Sequence, residues 1–383
     1  MALNTRRVRL GGIDSFTPDT GGGTTARQFQ MSQLPRSIGG RFVYLEAIVL
    51  ELYLTMTQGS SGTALVWENL LRVLKQVELS TLNFGTLLKP GLSGAELGMI
   101  CAPFANGYSQ RGPLGAVSMA AVTTSTASRT GRIFVRIPVG EDKRGLEQSE
   151  YGLPVVGFDP SDVLQLTFGD STCLATDSTG AVFAGCSGTA WGIVSVDDSL
   201  WVPSVRHLLY ETQATTDLTY GPYADQLITD AVFESDLNGL ASGNGFDNIL
   251  TFEIPGEVPS DAGYMHVNEF LRQVESPYFT WSTRAWPYQT AGSPSSGDPK
   301  TTTLALMPFR YRPKANARLT ENPTGGLRVI TTQTTLTTTR AVIQTVTPMN
   351  ETLGNVLAEL ARVSGGLTPV VRTSGATMLR VGA

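Results

Sequence analysis

The most apolar stretch of the chain is Phe42-Val43-Tyr44-Leu45-Glu46-Ala47-Ile48-Val49-Leu50-Glu51-Leu52-Tyr53-Leu54. Its aromatic and β-branched residues favour a strand over a helix. In a strand, Glu46 and Glu51 fall on opposite faces and leave both faces mostly apolar. The stretch therefore predicts a central strand buried on both sides, or two strands that meet at a bulge.

Other stretches alternate apolar and polar residues at a period of two, as half-buried strands do. Ile133, Val135 and Ile137 share one face, while Arg132 and Arg136 point away from it. The same alternation occurs in Leu164-Leu166-Phe168, in Trp191-Ile193-Ser195 and in Leu250-Phe252-Ile254. The threonine-rich residues 327–339 predict strands joined by a turn.

The composition agrees with a β-rich fold. The 383 residues include 46 Thr and 41 Gly, and only 16% are charged, against about 25% in a typical domain. Strands joined by many turns suit this composition, whereas long solvated helices need more charge. An α-helical bundle is excluded, a Rossmann-type fold is disfavoured, and an antiparallel sandwich or barrel is expected.

Helical spacing is confined to short stretches. Amphipathic helices are predicted at residues 66–77, running into a strand near Val77, and at residues 95–104, 266–274 and 350–363. In the last of these, Asn350 is the expected N-cap and Gly365-Gly366 the expected stop. Its predicted apolar face comprises Leu353, Val356, Leu357 and Leu360.

Charge is distributed unevenly. The net charge is −5, but residues 1–41 contain six arginines and two aspartates, a net of +4. This segment is rich in Gly and Thr without a hydrophobic period, which predicts a flexible basic arm over residues 1–40. The arm is either a frayed terminus that happens to carry arginine or a segment that contacts phospholipid or nucleic acid. The overall charge argues against nucleic-acid binding by the whole molecule.

The cysteines and the absence of targeting patterns indicate the compartment. Cys101, Cys173 and Cys186 are too few for a disulfide framework, and we interpret them as buried small apolar residues. No signal-peptide pattern occurs, and the apolar residues 42–56 carry two glutamates and are too short to span a bilayer. We therefore expect a soluble protein made in a reducing cytoplasm.

The two halves of the chain share an outline. Each has a dense strand region (residues 42–57 and about 205–232), short helices, long small-residue loops and alternating strands. The halves do not align residue by residue, so the similarity is one of layout. The predicted boundary lies near Pro203 and gives a first module over 41–203 and a second over 204–383.

Catalytic and metal-binding motifs are scarce. The chain has two histidines, His207 and His266, and no Walker A, C-x-x-C or G-x-S-x-G motif. Gly169-Asp170-Ser171 looks like the nucleophile block of GDSL-type esterases, but neither histidine has an aspartate three positions before it, so a strand followed by a turn is favoured. No catalytic residue, cofactor or metal site is predicted, and the chain is not expected to be an enzyme.

Two acidic pairs could serve a glycosidase, but turn or cap roles are favoured for both. They are Asp197-Asp198 and Asp159 with Asp162.

One aromatic cluster is a candidate binding site. Residues 278–288 place five aromatic side chains around one arginine, and the candidate residues are Tyr278, Trp281, Arg284 and Trp286. Such a cluster is typical of core packing, of an anchor at a protein interface, or of stacking on sugar rings. All three interpretations stay open.

The basic arm leads directly into Arg41-Phe42-Val43-Tyr44-Leu45-Glu46-Ala47-Ile48-Val49-Leu50, and two β-rich modules without an active site follow. This layout resembles the double jelly-roll major capsid proteins of tailless icosahedral, membrane-containing viruses, the lineage of tectiviruses, corticoviruses and adenoviruses. The resemblance implies an all-β fold of two consecutive jelly rolls with short helices between strands.

The resemblance also implies partners. Family members form homotrimeric, pseudo-hexagonal capsomers of an icosahedral shell in the virion, so the expected partner is the chain itself. An internal viral membrane and minor capsid or vertex proteins are further expected partners, and sequence-specific nucleic acid is not. Arg6, Arg7 and Arg9 are then candidate contacts to lipid or to neighbouring capsomers. The alternative is a glycan-binding β-sandwich, such as a phage receptor-binding or spike protein, which would use the 278–288 aromatics.

Overall fold

The structure of the chain is a computed structural model. It describes residues 6–17, 23–57, 73–89, 91–94, 97, 128–139, 152–171, 182–203, 205–213, 217–220, 226–235, 249–253, 264–266, 284–287, 301–307, 327–331, 339–347, 351–365 and 371–373. The chain divides into two compact units. The described residues up to His207 and those within Pro348–Arg380 belong to the first unit, and those within Leu208–Thr347 to the second.

The strands are numbered in chain order. In the first half they are β1 (Arg6–Phe16), β2 (Thr25–Gln30), β3 (Ser37–Ile38), β4 (Arg41–Thr57), β5 (Leu74–Thr81), β6 (Gly85–Leu88), β7 (Ser128–Pro138), β8 (Leu153–Pro154), β9 (Val163–Phe168), β10 (Val182–Asp197) and β11 (Leu200–Val202). In the second half they are β12 (Val205–Gln213), β13 (Asp217–Tyr220), β14 (Leu227–Ser235), β15 (Ile249–Glu253), β16 (Tyr264–His266), β17 (Arg284–Pro287), β18 (Thr301–Met307), β19 (Leu327–Thr331), β20 (Thr339–Thr347) and β21 (Val371–Thr373). One α-helix, α1, spans Glu351–Gly365, and short 3-10 helices span Met31–Gln33 and Val155–Gly157.

The first unit is a jelly roll. One of its sheets has the strand order β1-β10-β4-β7, and the other has the order β2-β9-β5-β6. The inner faces of the two sheets pack together, since the Phe16 and Phe168 rings lie 5.3 Å apart. With these eight strands numbered along the chain, the orders are 1-8-3-6 and 2-7-4-5, the arrangement of a double Greek key.

The second unit repeats this topology. Its sheets have the orders β12-β20-β14-β18 and β13-β19-β15-β16, with β17 added at the edge beside β18. Counted along the chain without β17, these orders are again 1-8-3-6 and 2-7-4-5. The predicted fold of two consecutive jelly rolls is confirmed, and the duplication that the sequence shows only in layout is a duplication of strand order.

Strand β4 is the central strand that the sequence predicts. β10 pairs with one of its edges over residues 42–57, and β3, β8 and β7 follow one another along the other edge. Residues 42–48 are all buried, which requires cover on both faces. Leu45 pairs with Val194 and Ala47 with Ile193, so Glu46 is the extra residue of a β-bulge. The prediction of a central strand is confirmed, and the strand contains a bulge.

The prediction of a flexible arm is wrong for residues 6–16 and 25–30, which are strands β1 and β2. β1 pairs with β10 and buries Leu10 and Ile13. Its register shifts after Arg9 and again after Ile13, and these shifts hide the period of two from the sequence. A Cβ on Gly11 would lie 2.8 Å from the Phe29 ring, so this glycine reflects close packing between the sheets.

The other strand predictions have mixed outcomes. Strands β7 and β9 bury the predicted faces. In β10 the prediction is inverted for Trp191 and Ile193, which are half-buried while Ala190, Gly192 and Val194 are buried. Ser195, the third residue of the predicted face, is buried because the register shifts after Ile193. The backbone of 249–253 is a strand as predicted, and its side chains lie outside the described residues.

The helix predictions are confirmed in part. Residues 351–365 form α1, whose buried positions are Gly354, Leu357 and Ala361, whereas Val356 is 40% exposed. Residues 74–77 belong to strand β5 and residue 266 ends strand β16, so helices there are excluded. Residues 66–72 and 267–274 lie outside the described part of the chain. Near residue 95, Gly94 and Leu97 are helical.

The C-terminal segment contributes to the first unit. β21 pairs with β11 in parallel, and α1 packs beside the 3-10 helix at Val155–Gly157. A Cβ on Gly157 would lie 2.6 Å from a methyl group of Leu357, so helix and turn are in direct contact. Among the described residues, no helix is long and apolar enough to cross a membrane.

Candidate assembly surface

The outer face of the β1-β10-β4-β7 sheet carries a cluster of arginines and aromatic residues. The register brings them together: Arg9, Trp191, Val49 and Arg136 lie in one row across β1, β10, β4 and β7. The following rows along β4 pair Glu51 with Phe134 and Tyr53 with Arg132. We call this surface the arginine–aromatic face, and it comprises Arg7, Arg9, Glu51, Tyr53, Arg132, Phe134, Arg136 and Trp191.

Glu51 is the centre of this face. Its carboxylate accepts hydrogen bonds from Arg7 Nη2 at 2.8 Å, Tyr53 Oη at 2.9 Å, Arg132 Nε at 2.8 Å and Trp191 Nε1 at 3.1 Å. Arg132 Nη2 donates a further bond to the same carboxylate. The Glu51 side chain is only 9% exposed, so the carboxylate lies beneath its donors.

The hydrogen bonds determine the ionisation of Glu51. Burial alone would raise the pKa of the carboxyl, but the bonds from Tyr53, Arg132 and Arg7 outweigh burial and hold the pKa below its ordinary value of 4.5. The same contact raises the pKa of the Tyr53 hydroxyl, because its hydrogen bond to Glu51 favours the protonated phenol. Glu51 is therefore ionised at neutral pH, and it fixes both arginines.

The two arginines also stack on aromatic rings. The Arg7 guanidinium carbon lies 4.0 Å from the centroid of Trp191, and that of Arg132 lies 4.5 Å from the centroid of Phe134. Planar guanidinium groups stack well on aromatic faces. The Arg7 and Arg132 side chains nevertheless remain 41% and 51% exposed, and Tyr53 is 39% exposed. Arginine and exposed aromatic side chains are the residue types that dominate binding energy at protein interfaces, and here both arginines are already fixed in position.

The structure places the predicted arginines Arg6, Arg7 and Arg9 on strand β1, all three exposed. Arg7 and Arg9 belong to the arginine–aromatic face, and Arg6 alternates to the other side of the strand. Their contact with lipid or neighbouring capsomers stays a prediction.

The predicted aromatic cluster is described only in part. Arg284 and Trp286 lie on β17, where they pair in register with Leu304 and Thr302 of β18. Their side chains, and the whole of Tyr278 and Trp281, lie outside the described residues, so the three interpretations of this cluster stay open.

The esterase-like fragment follows the end of β9, as the strand-and-turn interpretation requires. The Ser171 hydroxyl accepts a hydrogen bond from the Phe183 amide at 3.0 Å. His207 Nδ1 donates to the Thr86 carbonyl at 2.7 Å, and burial lowers the pKa of its imidazole. Ser171 and His207 both have structural hydrogen bonds.

Three of the four aspartates have the predicted turn role, because Asp159, Asp162 and Asp197 accept hydrogen bonds from nearby backbone amides, whereas Asp198 pairs with an arginine. Asp162 is buried and accepts hydrogen bonds from the Asp159 and Leu82 amides. Asp197 accepts from the Ser199 amide, and Asp198 forms a two-bond ion pair with Arg41. That pair lowers the pKa of Asp198. Within the described part of the chain, no group of acidic, histidine and cysteine side chains could hold a metal ion.

No local sequence pattern identifies the arginine–aromatic face as a site. Arg7 and Arg132 are 44 and 81 residues from Glu51, so only the strand pairing brings them together. One signal was present: Glu51 interrupts an apolar strand, and a buried carboxylate requires donors.

Comparisons with known proteins agree with the strand order. No protein-family model matches the chain, and no curated protein matches its sequence. The crystal structure of the STIV MCP is similar with a TM-score of 0.56 at 12% identity, covering 91% of this chain and 99% of that one. A chain in the atomic structure of Sulfolobus Turreted Icosahedral Virus gives a TM-score of 0.55 at 12% identity, covering 94% and 97%.

The major capsid protein P2 from Bacteriophage PM2 is more distant, with a TM-score of 0.43 at 12% identity over 89% of this chain and 97% of that one. The chain thus has, over almost its whole length, the double jelly-roll fold of the STIV major capsid protein, and the resemblance inferred from its sequence is confirmed at the level of fold.

Proposed function

We propose that the chain is a major capsid protein that assembles with copies of itself into an icosahedral viral shell. The observation that carries the proposal is the repeat of one jelly-roll strand order twice in a single chain. The full-length similarity to the STIV MCP supports it, since 99% of that chain is covered. A shared fold alone does not fix a function, so the proposal requires a test of assembly.

The finer part of the proposal is a homotrimer. Three chains with two jelly rolls each form a ring of six similar modules, which fits a hexagonal position in a lattice. Low charge supports burial against copies, because charged residues are depleted at interface cores and only 16% of this chain is charged. We further propose the virion as its location, with minor capsid proteins and an internal membrane as additional partners.

Light scattering on a sizing column tests the proposal. Three chains of 40.9 kDa give about 123 kDa, so a species of that mass, or a much larger discrete shell, is expected. Dilution should not produce a stable monomer over the micromolar range. A monomer at every concentration and salt condition would contradict the proposal.

A further inference from the structure

The arginine–aromatic face is preorganised for a partner. Glu51 holds Arg7 through Nη2 and Arg132 through Nε and Nη2. Within the described part of the chain, these are the hydrogen bonds that the two guanidinium groups donate, which leaves Nη1 of each as a donor. Because the carboxylate and the aromatic rings already fix both side chains, an incoming acceptor pays little rotamer entropy to use them.

The charge of the face indicates the chemistry of that partner. Its four arginines and one glutamate give a net +3. Removing this +3 from the net −5 of the whole chain leaves −8 on the remaining residues. Outside this face, a second copy of the chain therefore carries an excess of carboxylates that could pair with these arginines, and complementary charges steer association and fix its register.

A polyanion fits this face less well. The buried Glu51 carboxylate already offsets one arginine charge at the centre of the face. The net −8 of the other residues would oppose a nucleic acid or an anionic membrane at longer range. The exposed Tyr53 ring and the half-buried Trp191 ring are typical of anchors in protein interfaces. A protein surface bearing carboxylates is the partner that the composition favours.

We propose that the arginine–aromatic face binds an acidic surface of a second copy of this chain. This inference rests on the proposed function and assigns one of the surfaces by which copies assemble. The contact is head-to-tail, since a basic face meets a different, acidic surface, and contacts of this kind close into rings such as trimers.

Charge reversal on the face tests the inference. Arg9→Glu is the cleanest variant, because no hydrogen bond or ion pair of Arg9 occurs among the described residues, so the fold should be retained. Arg132→Glu additionally places a negative charge beside Glu51, so it perturbs the face more strongly. The matched control is Arg362→Glu on α1, which has the same charge change at a side chain that is 70% exposed.

Sedimentation equilibrium of the full chain supplies the readout, with thermal melting to confirm folding. We expect Arg9→Glu and Arg132→Glu to weaken self-association at least about tenfold and Arg362→Glu to leave it unchanged. Added salt should weaken association of the wild-type chain. Vesicles containing anionic phospholipid and a DNA oligonucleotide serve as competing probes.

The outcomes separate this inference from the proposed function. If the wild-type chain is oligomeric and the folded Arg9→Glu and Arg132→Glu variants are equally oligomeric, this inference is overturned and the proposed function is not. Loss of vesicle or DNA binding in these variants, with unchanged self-association, also overturns it in favour of a polyanion. A monomeric wild-type chain overturns the proposed function and this inference together.

Discussion

The hydroxyl of Tyr44 donates a hydrogen bond of 2.5 Å to the carbonyl oxygen of Ser199, 155 residues away in the chain. The same hydroxyl accepts a bond of 2.8 Å from the amide of Trp201. Tyr44 is fully buried in central strand β4, and Trp201 belongs to β11. One phenol therefore connects the first sheet to the short strand that pairs with the C-terminal β21.

Tyr44→Phe should destabilise the first unit by about 1–3 kcal/mol, because it removes the partner of a buried carbonyl and of a half-buried amide. Chemical denaturation monitored by tryptophan fluorescence measures the loss. Thr55→Val is the control on the same strand, since the Thr55 hydroxyl forms an exposed hydrogen bond with Thr130. Equal stability of the two variants would contradict the role of Tyr44.

Gly188→Ala should be strongly destabilising. A Cβ at this position would lie 2.2 Å from the carbonyl oxygen of Glu51, and main chain in the middle of a sheet cannot move aside cheaply. Gly185→Ala in the same strand is the control, because its Cβ would lie 3.4 Å from the Phe16 carbonyl oxygen. We expect Gly188→Ala to lower the free energy of unfolding by more than the about 1–3 kcal/mol that overpacking usually costs, and Gly185→Ala to lower it by less. Similar melting temperatures for the two variants would show that the backbones of β10 and β4 are farther apart than in this structure.

Leu357→Ala tests the packing of the C-terminal helix. Leu357 is fully buried against Gly157, so its truncation should cost about 2–5 kcal/mol. Val363→Ala on the same helix should change stability by less than about 0.5 kcal/mol, because Val363 is 76% exposed. If both variants melt like the wild-type chain, the helix does not stabilise the first unit.

Glu51 should make stability depend on pH. Its pKa in the folded chain lies below 4.5, so the folded state binds fewer protons than the unfolded state. This contribution is fully present above about pH 4.5 and is lost as the pH falls through the folded-state pKa. Melting temperatures measured from pH 7 to pH 3 should fall more steeply for the wild-type chain than for Glu51→Gln.

The control for this titration is Glu359→Gln, which removes an exposed pair with Arg362 that should contribute little. Its pH profile should follow that of the wild-type chain. Parallel profiles for the wild-type chain and Glu51→Gln would mean that the Glu51 contacts do not stabilise the folded state.

The sequence predicts strands well where the apolar pattern is regular. In β7, Ile133, Val135 and Ile137 are buried, while Arg132 and Arg136 are exposed. β1 escaped prediction because two register shifts interrupt its alternation. An alternation pattern depends on the side chains of one strand alone, whereas a bulge arises from the pairing of two strands.

The inverted face of β10 has a packing reason. A Cβ on Gly192 would lie 2.7 Å from a methyl group of Leu34, so the buried face of this strand accepts only a small residue there. Trp191 lies on the outer face, where Arg7 stacks on its ring and Glu51 accepts its indole N–H. An alternation argument assigns the larger apolar residue to the core, and here the core has no room for it.

The most direct test of the capsid proposal is electron cryomicroscopy of the purified, assembled chain. Two jelly rolls in each of three chains predict particles with six similar lobes around a threefold axis, either as isolated capsomers or arranged on a closed icosahedral shell. Particles of single chains, or oligomers without a threefold axis, would contradict it.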